Sequence, residues 1–369
     1  MARLLGLFAP LLPFQLAQDD IRSALEANHR TASEATESRA KLLASPDRSG
    51  VGSRASIVSI ADALLAPDFT ERNRRYAQAM IEHGGEAVRG VLEGGGFDPK
   101  RFHTWITVSC TGVMIPAADA FLAHRFGFSP ALRRIPMTEL GCVGGAVALS
   151  RAAEAVDAHA GSAAANGSLA RADLALLLAA EFCSLNLQLK DASPAGLVAN
   201  LLFGDGVVAA VLGPDDAVPI QREPRRLLPR VVACRSHLVP STTGHLGFDL
   251  RSSGFHIVLK PEIPRLVESL LPGVVASFLD DLSWRQADVR HWILHPGGKR
   301  VVEALLGALG LPAEAGEATW SVMRRHGNAS SAGVLLVLDE AARAASPGDR
   351  GLLVGFGPGF SVELLALEW

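Results

Sequence analysis

The chain has 369 residues, enough for two domains or one large two-part domain with a substantial core. Hydrophobic residues make up 49% and charged residues 20%, the balance of a packed globular protein. A net charge of -3, a single Tyr and five scattered Trp offer neither a basic surface nor a stacking platform, so no nucleic-acid or acidic-membrane partner is expected.

Arg3 and the apolar run Leu4 to Leu12 resemble a short signal peptide. Pro10 and Pro13 interrupt it, and no small-x-small site comes before Asp19 and Asp20, so the stretch reads as a first strand with a helix from about Gln18. No other run reaches ~18 apolar residues, and no membrane insertion is expected. Cys110, Cys142, Cys183 and Cys234 are widely spaced with no C-x-x-C pair, which argues against a metal site and fits a reducing, cytoplasmic location.

Asp19 to Leu43 has helical spacing. Ser45 to Arg54 is polar and turn-rich, with Lys41, Arg48 and Arg54 nearby; it reads as a solvated surface, with a phosphate-binding rim as the alternative. Asp68 to Leu92 reads as a long helix that Gly94 to Gly96 must end. Thr104 to Ser109 is a buried strand leading into Cys110 to Pro116, and residues just past such strand ends often line sites. A helix from about Asp119 to His124, an apolar strand Ala172 to Ala180, and a Gly-Asp-Gly turn before a strand ending at Leu212 follow. Gly213 to Arg230 holds four prolines and is the best boundary, which divides the chain into 1–220 and 221–369. The second part repeats the alternation: a strand near Val231, a helix Glu262 to Leu279, a strand Trp292 to Leu294 and a helix Lys299 to Leu309. A helix opening after Asn328 and running to about Ala345, then strands Gly351 to Gly355 and Ser361 to Leu367, complete it. This content predicts a layered α/β fold.

Cys142 follows an extended segment and opens a helix running from about Gly145 to Ala158. The free N–H groups and dipole of a helix start favour a thiolate, and Gly144 and Gly145 let a substrate approach the backbone. His295 ends a buried strand, and Asn328 stands at a helix start. The three form a Cys/His/Asn set spread over both parts. Cysteine can take up an acyl group as a thioester, while His and Asn can both donate to one oxygen and stabilise an enolate. A hydrolase with His as base would use the same residue types.

Five motifs carry a resemblance over nearly the whole chain: Gly141-Cys142-x-Gly-Gly145, Leu202-Phe203-Gly-Asp-Gly206, His295-Pro-Gly-Gly298, Gly327-Asn328-x-Ser-Ser-Ala332 and Gly355-Phe-Gly-Pro-Gly359. In this order the chain resembles the type III polyketide synthases, the chalcone synthase family of the thiolase superfamily. Cys-Val-Gly-Gly is one residue shorter than the plant pattern and is similar to bacterial members. The resemblance implies a thiolase-type αβαβα sandwich of two similar halves, a homodimer, and no cofactor beyond coenzyme A thioesters as substrates. It implies Cys142 as nucleophile, with His295 and Asn328 serving decarboxylation and condensation. Phe203 matches an aromatic gatekeeper. Cys110, Thr111, Ile115, Cys183, Asn186, Gly297, Gly298 and Ser330 match other substrate-binding positions, and Ile115 also matches a residue that crosses the dimer interface. Lys41 and Arg48 match basic residues that meet coenzyme A phosphates, while a third such position falls on Ala44.

The function implied is extension of an acyl-CoA starter by malonyl-CoA. Cys110 and Cys183 replace hydroxyl groups of the plant enzymes, which favours an aliphatic starter and alkylpyrone or alkylresorcinol products. The alternatives are a malonyl-CoA-primed synthase of a small aromatic, a ketoacyl-ACP synthase III, and a non-catalytic acyl-binding paralogue. His295-Pro-Gly-Gly298 argues against the ketoacyl-ACP synthase, and the intact triad argues against the paralogue.

Overall fold

A computed structural model of the chain describes residues 1–30, 49–65, 68–166, 172–189, 191, 193–216 and 226–369. Among these, the first half forms strands β1 (Ala2–Phe8), β2 (Phe14–Ala17), β3 (Ser53–Ser56), β4 (Phe102–Val108), β5 (Arg133–Met137), β6 (Leu174–Glu181) and β7 (Gly206–Pro214). Its helices are α1 (Gln18–Arg30), α2 (Ile60–Leu64), α3 (Phe69–Gly95), α4 (Ala118–Phe126), α5 (Gly144–Asn166) and α6 (Pro194–Leu202). The second half forms β8 (Arg230–Leu238), β9 (Leu246–Arg251), β10 (Gly254–Leu259), β11 (His291–Leu294), β12 (Arg350–Gly357) and β13 (Ser361–Glu368). Its helices are α7 (Ile263–Asp281), α8 (Lys299–Ala308), α9 (Glu317–His326) and α10 (Ser330–Ala344).

Local chemistry sets several of these limits. The Asp68 carboxylate accepts from the Glu71 N–H and opens α3, and Gly96 closes it in the left-handed region at φ 62°. Every residue of β4 and β6 is buried, because parallel strands covered on both faces need apolar residues at every position. The N-terminal apolar run forms β1, and β2 after it pairs antiparallel with β3 across the chain that includes α1. No helix among the described residues is long and apolar enough to cross a membrane.

The large sheet has the order β11-β12-β13-β8-β1-β7-β6-β4-β5. β1, β7, β6 and β4 pair antiparallel, antiparallel and parallel in turn. β8, β13, β12 and β11 repeat this series. The two halves are thus topologically alike, and β5 is an extra parallel edge strand on the first. They meet at a narrow seam, where Arg3 pairs with Arg230 and the Leu4 N–H reaches the Pro229 carbonyl at 2.9 Å. The segment expected to hold the boundary includes 217–225, outside the described residues.

Alternation along the strands builds the layers. Leu177, Ala179 and Val208 of the first half, with Ile293, Leu353 and Leu365 of the second, share one core with Leu149 and Ala152 of α5 and Val334 and Leu338 of α10. Leu176 and Leu178 face away, toward Met80 and Val88 of α3. Leu294, Leu352 and Leu364 face α7 and α8 through Val267, Leu271 and Leu305. The result is α/β/α/β/α, as expected, and each large apolar side chain so buried contributes roughly 1.5–3 kcal/mol. The two central helices cross very closely: a Cβ on Gly145 would lie 1.9 Å from the Ser331 carbonyl oxygen.

Candidate active site

The N-termini of α5 and α10 converge where these helices cross. Cys142 sits in a short 3-10 turn, Gly141–Val143, directly before α5, with Gly141 at φ 54°. The turn between β12 and β13 presses on it from the other half. A Cβ on Gly141 would lie 2.6 Å from Pro358, and one on Gly357 would lie 2.6 Å from the Val143 nitrogen. The glycines of both motifs are therefore needed for this docking.

Asn328 lies in the loop between α9 and α10 and is buried. Its Oδ1 accepts from the Ser330 N–H at 2.9 Å, and its Nδ2 is 3.9 Å from Cys142 Sγ. Its Oδ1 lies 4.0 Å from the same sulfur, so the carboxamide faces the thiol with both atoms and its amino group is the donor it offers. His295 follows β11; its N–H bonds to the Val354 carbonyl at 3.0 Å and its carbonyl accepts from Gly297 at 2.8 Å. Its ring stands edge-on to Phe356, 5.1 Å between centroids, and its buried Nδ1 has no partner. Burial pushes the imidazole down to about 3, so it is neutral across the ordinary pH range.

Burial also pushes the Cys142 thiol up to about 11, against hydrogen bonds from Ser330 and Asn328 that favour the thiolate. The expected thiolate is not the resting form, because desolvation here outweighs the helix end and no imidazolium stands by. Burial thus favours the neutral form of both groups.

A compact cavity of about 50 Å³ is lined by Cys110, Thr111, Cys183, Asn186, Phe203 and Ser330, all expected substrate positions. Phe248, Phe255 and Ile257 of the β9–β10 hairpin close it; these were not foreseen, since an isolated two-strand hairpin in the second half gave no sign of which strand end it would cover. Asn186 Nδ2 donates to the Thr111 carbonyl at 2.6 Å. Ile115 does not reach this cavity: it is 91% exposed.

Glu181 was also missed as a site residue. It is fully buried at the end of β6. Ser331 Oγ donates to it at 2.5 Å, Thr111 Oγ1 at 2.9 Å and the Cys110 N–H at 3.0 Å. The Cys110 sulfur lies 3.4 Å from this carboxyl and 3.2 Å from Ser330 Oγ. Burial holds the carboxyl above its usual range. The signal was an acid directly after an unbroken apolar strand.

A second, wider cleft of about 540 Å³ lies on the other side of the Leu202–Phe203 turn. Leu202, Gly297 and Gly298 line it, with Arg22, Lys260, Lys299 and Arg300 supplying positive charge. Adjacent residues therefore face different spaces, Leu202 the cleft and Phe203 the cavity. Lys41 and Arg48 lie outside the described residues. Arg54 departs from the solvated or phosphate-rim reading: it is 3% exposed, because its guanidinium bonds backbone carbonyls inside the protein.

Comparison with known proteins identifies the family. Residues 59–216 match the family model of the chalcone and stilbene synthases, N-terminal domain, and residues 230–368 match the C-terminal domain. A 1,3,6,8-tetrahydroxynaphthalene synthase of Streptomyces peucetius subsp. caesius is 37% identical over 87% of this chain and 81% of its own. A putative chalcone synthase of Bacillus subtilis (strain 168) is 33% identical over 89% of each. The crystal structure of 1,3,6,8-tetrahydroxynaphthalene synthase from Streptomyces coelicolor A3(2), a bacterial type III polyketide synthase, superimposes with a TM-score of 0.84 at 27% identity, over 100% of this chain and 99% of that one. On the joint strength of the two-domain match and these relatives, the chain belongs to the chalcone and stilbene synthase family, the type III polyketide synthases.

Proposed function

We propose that the protein condenses malonyl units on Cys142 and releases a small aromatic polyketide. An acyl-CoA enters by the wide cleft, and its thioester passes the Leu202–Phe203 turn. The Cys142 sulfur attacks the carbonyl carbon and coenzyme A leaves as the thiol, taking up the Cys142 proton, for which the His295 ring is the candidate carrier. A malonyl thioester in the same place then loses carbon dioxide, and its C–C electrons become an enolate. Asn328 Nδ2 and the His295 ring N–H are the donors for the enolate oxygen. The enolate carbon attacks the acyl thioester on Cys142 and frees the sulfur. The observation that carries this reading is the buried Asn328 carboxamide beside the Cys142 sulfur, with its amino group 3.9 Å away.

The cavity bears on the starter. At about 50 Å³ it holds a few waters, and Phe248, Phe255 and Phe203 wall it. That favours a malonyl-derived starter over the medium or long alkyl chain that Cys110 and Cys183 suggested. Relatives named 1,3,6,8-tetrahydroxynaphthalene synthase and, at 27% identity, phloroglucinol synthase of Pseudomonas fluorescens point the same way. Steady-state rates with malonyl-CoA alone against a C8–C16 acyl-CoA series test it. Best turnover with malonyl-CoA alone is expected; efficiency that rises with alkyl length would restore the aliphatic reading. A homodimer and a reducing cytoplasmic setting suit the exposed Ile115 and the four free thiols.

A further inference from the structure

Arg54 is a buried cation with no carboxylate in contact among the described residues. Its Nη1 donates to the Asn200 carbonyl at 2.9 Å and the Phe203 carbonyl at 2.8 Å; its Nη2 donates to the Leu201 carbonyl at 2.6 Å and to Gln18 Oε1. Asp205, the acid whose charge it feels, is committed elsewhere, to the Ser184 N–H, the Ser184 hydroxyl and the Ile57 N–H. Burying a charge on carbonyl partners alone costs several kcal/mol of desolvation, and an apolar side chain of similar length would avoid that. The carbonyls it holds belong to the last turn of α6 and the residue after it, groups that helix geometry leaves without partners.

The gripped turn has two functions. It carries Leu202 on the cleft wall and Phe203 on the cavity wall. It is also tied to the candidate catalytic Asn328, whose N–H donates to the Leu202 carbonyl at 2.9 Å and whose carbonyl accepts from Gly204 at 3.0 Å. Space here is minimal, since a Cβ on Gly204 would lie 2.2 Å from the His326 carbonyl oxygen. A shift of the α6 end therefore moves Phe203 and Asn328 together. Gln18, the fourth partner, lines the cleft and donates to the Leu201 carbonyl at 2.8 Å.

We propose that Arg54 is a positioning residue for condensation: it fixes the Leu202–Phe203 turn and, through it, the Asn328 carboxamide, with Gln18 joining this grip to the acyl-CoA cleft. The proposal rests on the condensing role given to Phe203 and Asn328 above. A displacement of the order of 1 Å at a reacting group can cost about 100-fold in rate.

The test compares Arg54→Met, which keeps length and loses the fork, Arg54→Lys, which keeps charge with a single donor head, and Gln18→Ala. Acyl adduct formation on Cys142 is followed by intact mass, and carbon dioxide release from saturating malonyl-CoA is followed separately, with product lengths. Arg54→Met is expected to load Cys142 within a few-fold of wild type while carbon dioxide release falls roughly 10–100-fold and shorter products escape. Arg54→Lys should lie between the two, and Gln18→Ala should lower kcat in the same direction by a smaller factor. If Arg54→Met does not fold, Gln18→Ala decides. A wild-type ratio of decarboxylation to loading in the folded variants, or a change in KM alone for Gln18→Ala, would overturn the proposal. A wild-type enzyme that forms no adduct on Cys142 would overturn the condensing reading instead.

Discussion

The Asn328 carboxamide lies beside Cys142, and its amino group is the donor it offers there. Losing one preorganised donor of this kind typically costs ~10²–10³ in rate. Asn328→Ala is therefore expected to cut carbon dioxide release by that factor while Cys142 still forms an acyl adduct; equal loss of both steps would assign Asn328 to loading. His295 offers a different measurement. The unfolded chain takes up a proton on this imidazole as pH falls through about 6.5, but the folded chain does so only near 3. Between those values the unfolded state binds more protons, so His295 removes stability as pH falls, by ~1.4 kcal/mol per pH unit. His295→Gln should make stability less sensitive to acid between pH 6 and 4, whatever its effect on the baseline, in urea melts at each pH. An unchanged slope would mean that the imidazole is charged in the folded protein. Cys142, His295 and Asn328 stood out in the sequence as candidates because each sits in a glycine-bearing motif and the three together make one chemical set. Their protonation was not legible there, because it depends on burial that only the assembled halves create. Arg54 was illegible for a related reason: its partners are carbonyls, and carbonyls carry no residue-type signal.

At the scale of elements, the sequence located most buried strands within a few residues, since each is an unbroken apolar run such as Leu174–Glu181. It missed α2, α6 and α9, the β2–β3 pairing and the β9–β10 hairpin, each only four to ten residues long and so too short for a clear period. The crossing of α5 and α10 is what the glycines after Cys142 secure. Gly145→Ala would put a methyl group 1.9 Å from the Ser331 oxygen, and that backbone is held by the same crossing. A cost above about 3 kcal/mol is expected, beyond ordinary overpacking. Gly161, in the same helix, has nothing within 4 Å of a Cβ, so Gly161→Ala should gain ~0.5–1 kcal/mol from helix propensity. Thermal or denaturant melts of the two variants read both signs. A tolerated Gly145→Ala would show that the central helices separate easily, and the site could not then depend on their contact.

For the whole molecule, the edge of the first half is the exposed apolar surface of interest. Among the described residues β5 ends the large sheet with one side unpaired, and unpaired edges invite association. Ile135 on β5 is 40% exposed, Phe121 on α4 is 48% exposed, and Val113 and Ile115 in the turn after β4 are 50% and 91% exposed. The Asp119–Arg134 ion pair fixes α4 to β5, so these side chains share one rigid border. Exposure of Ile115 to this degree is costly for a side chain of its size and is relieved if a second copy covers it. A stable dimer needs about 1,600 Å² of total buried surface, which this border and its surroundings would have to supply. Sedimentation should report 77.6 kDa, twice the 38.8 kDa chain. Ile115→Arg, which sets a charge at the centre of the patch, should raise the dissociation constant and bring the 38.8 kDa species forward at micromolar concentration. Because Ile115 lies outside its own chain's cavity, dilution separates two origins of any change in product length in this variant, and an effect exerted through a partner's site is the one expected. It should disappear when the variant is diluted to monomer. A dimer unmoved by Ile115→Arg would place the interface on another face and leave the exposed edge of β5 to be explained by other means.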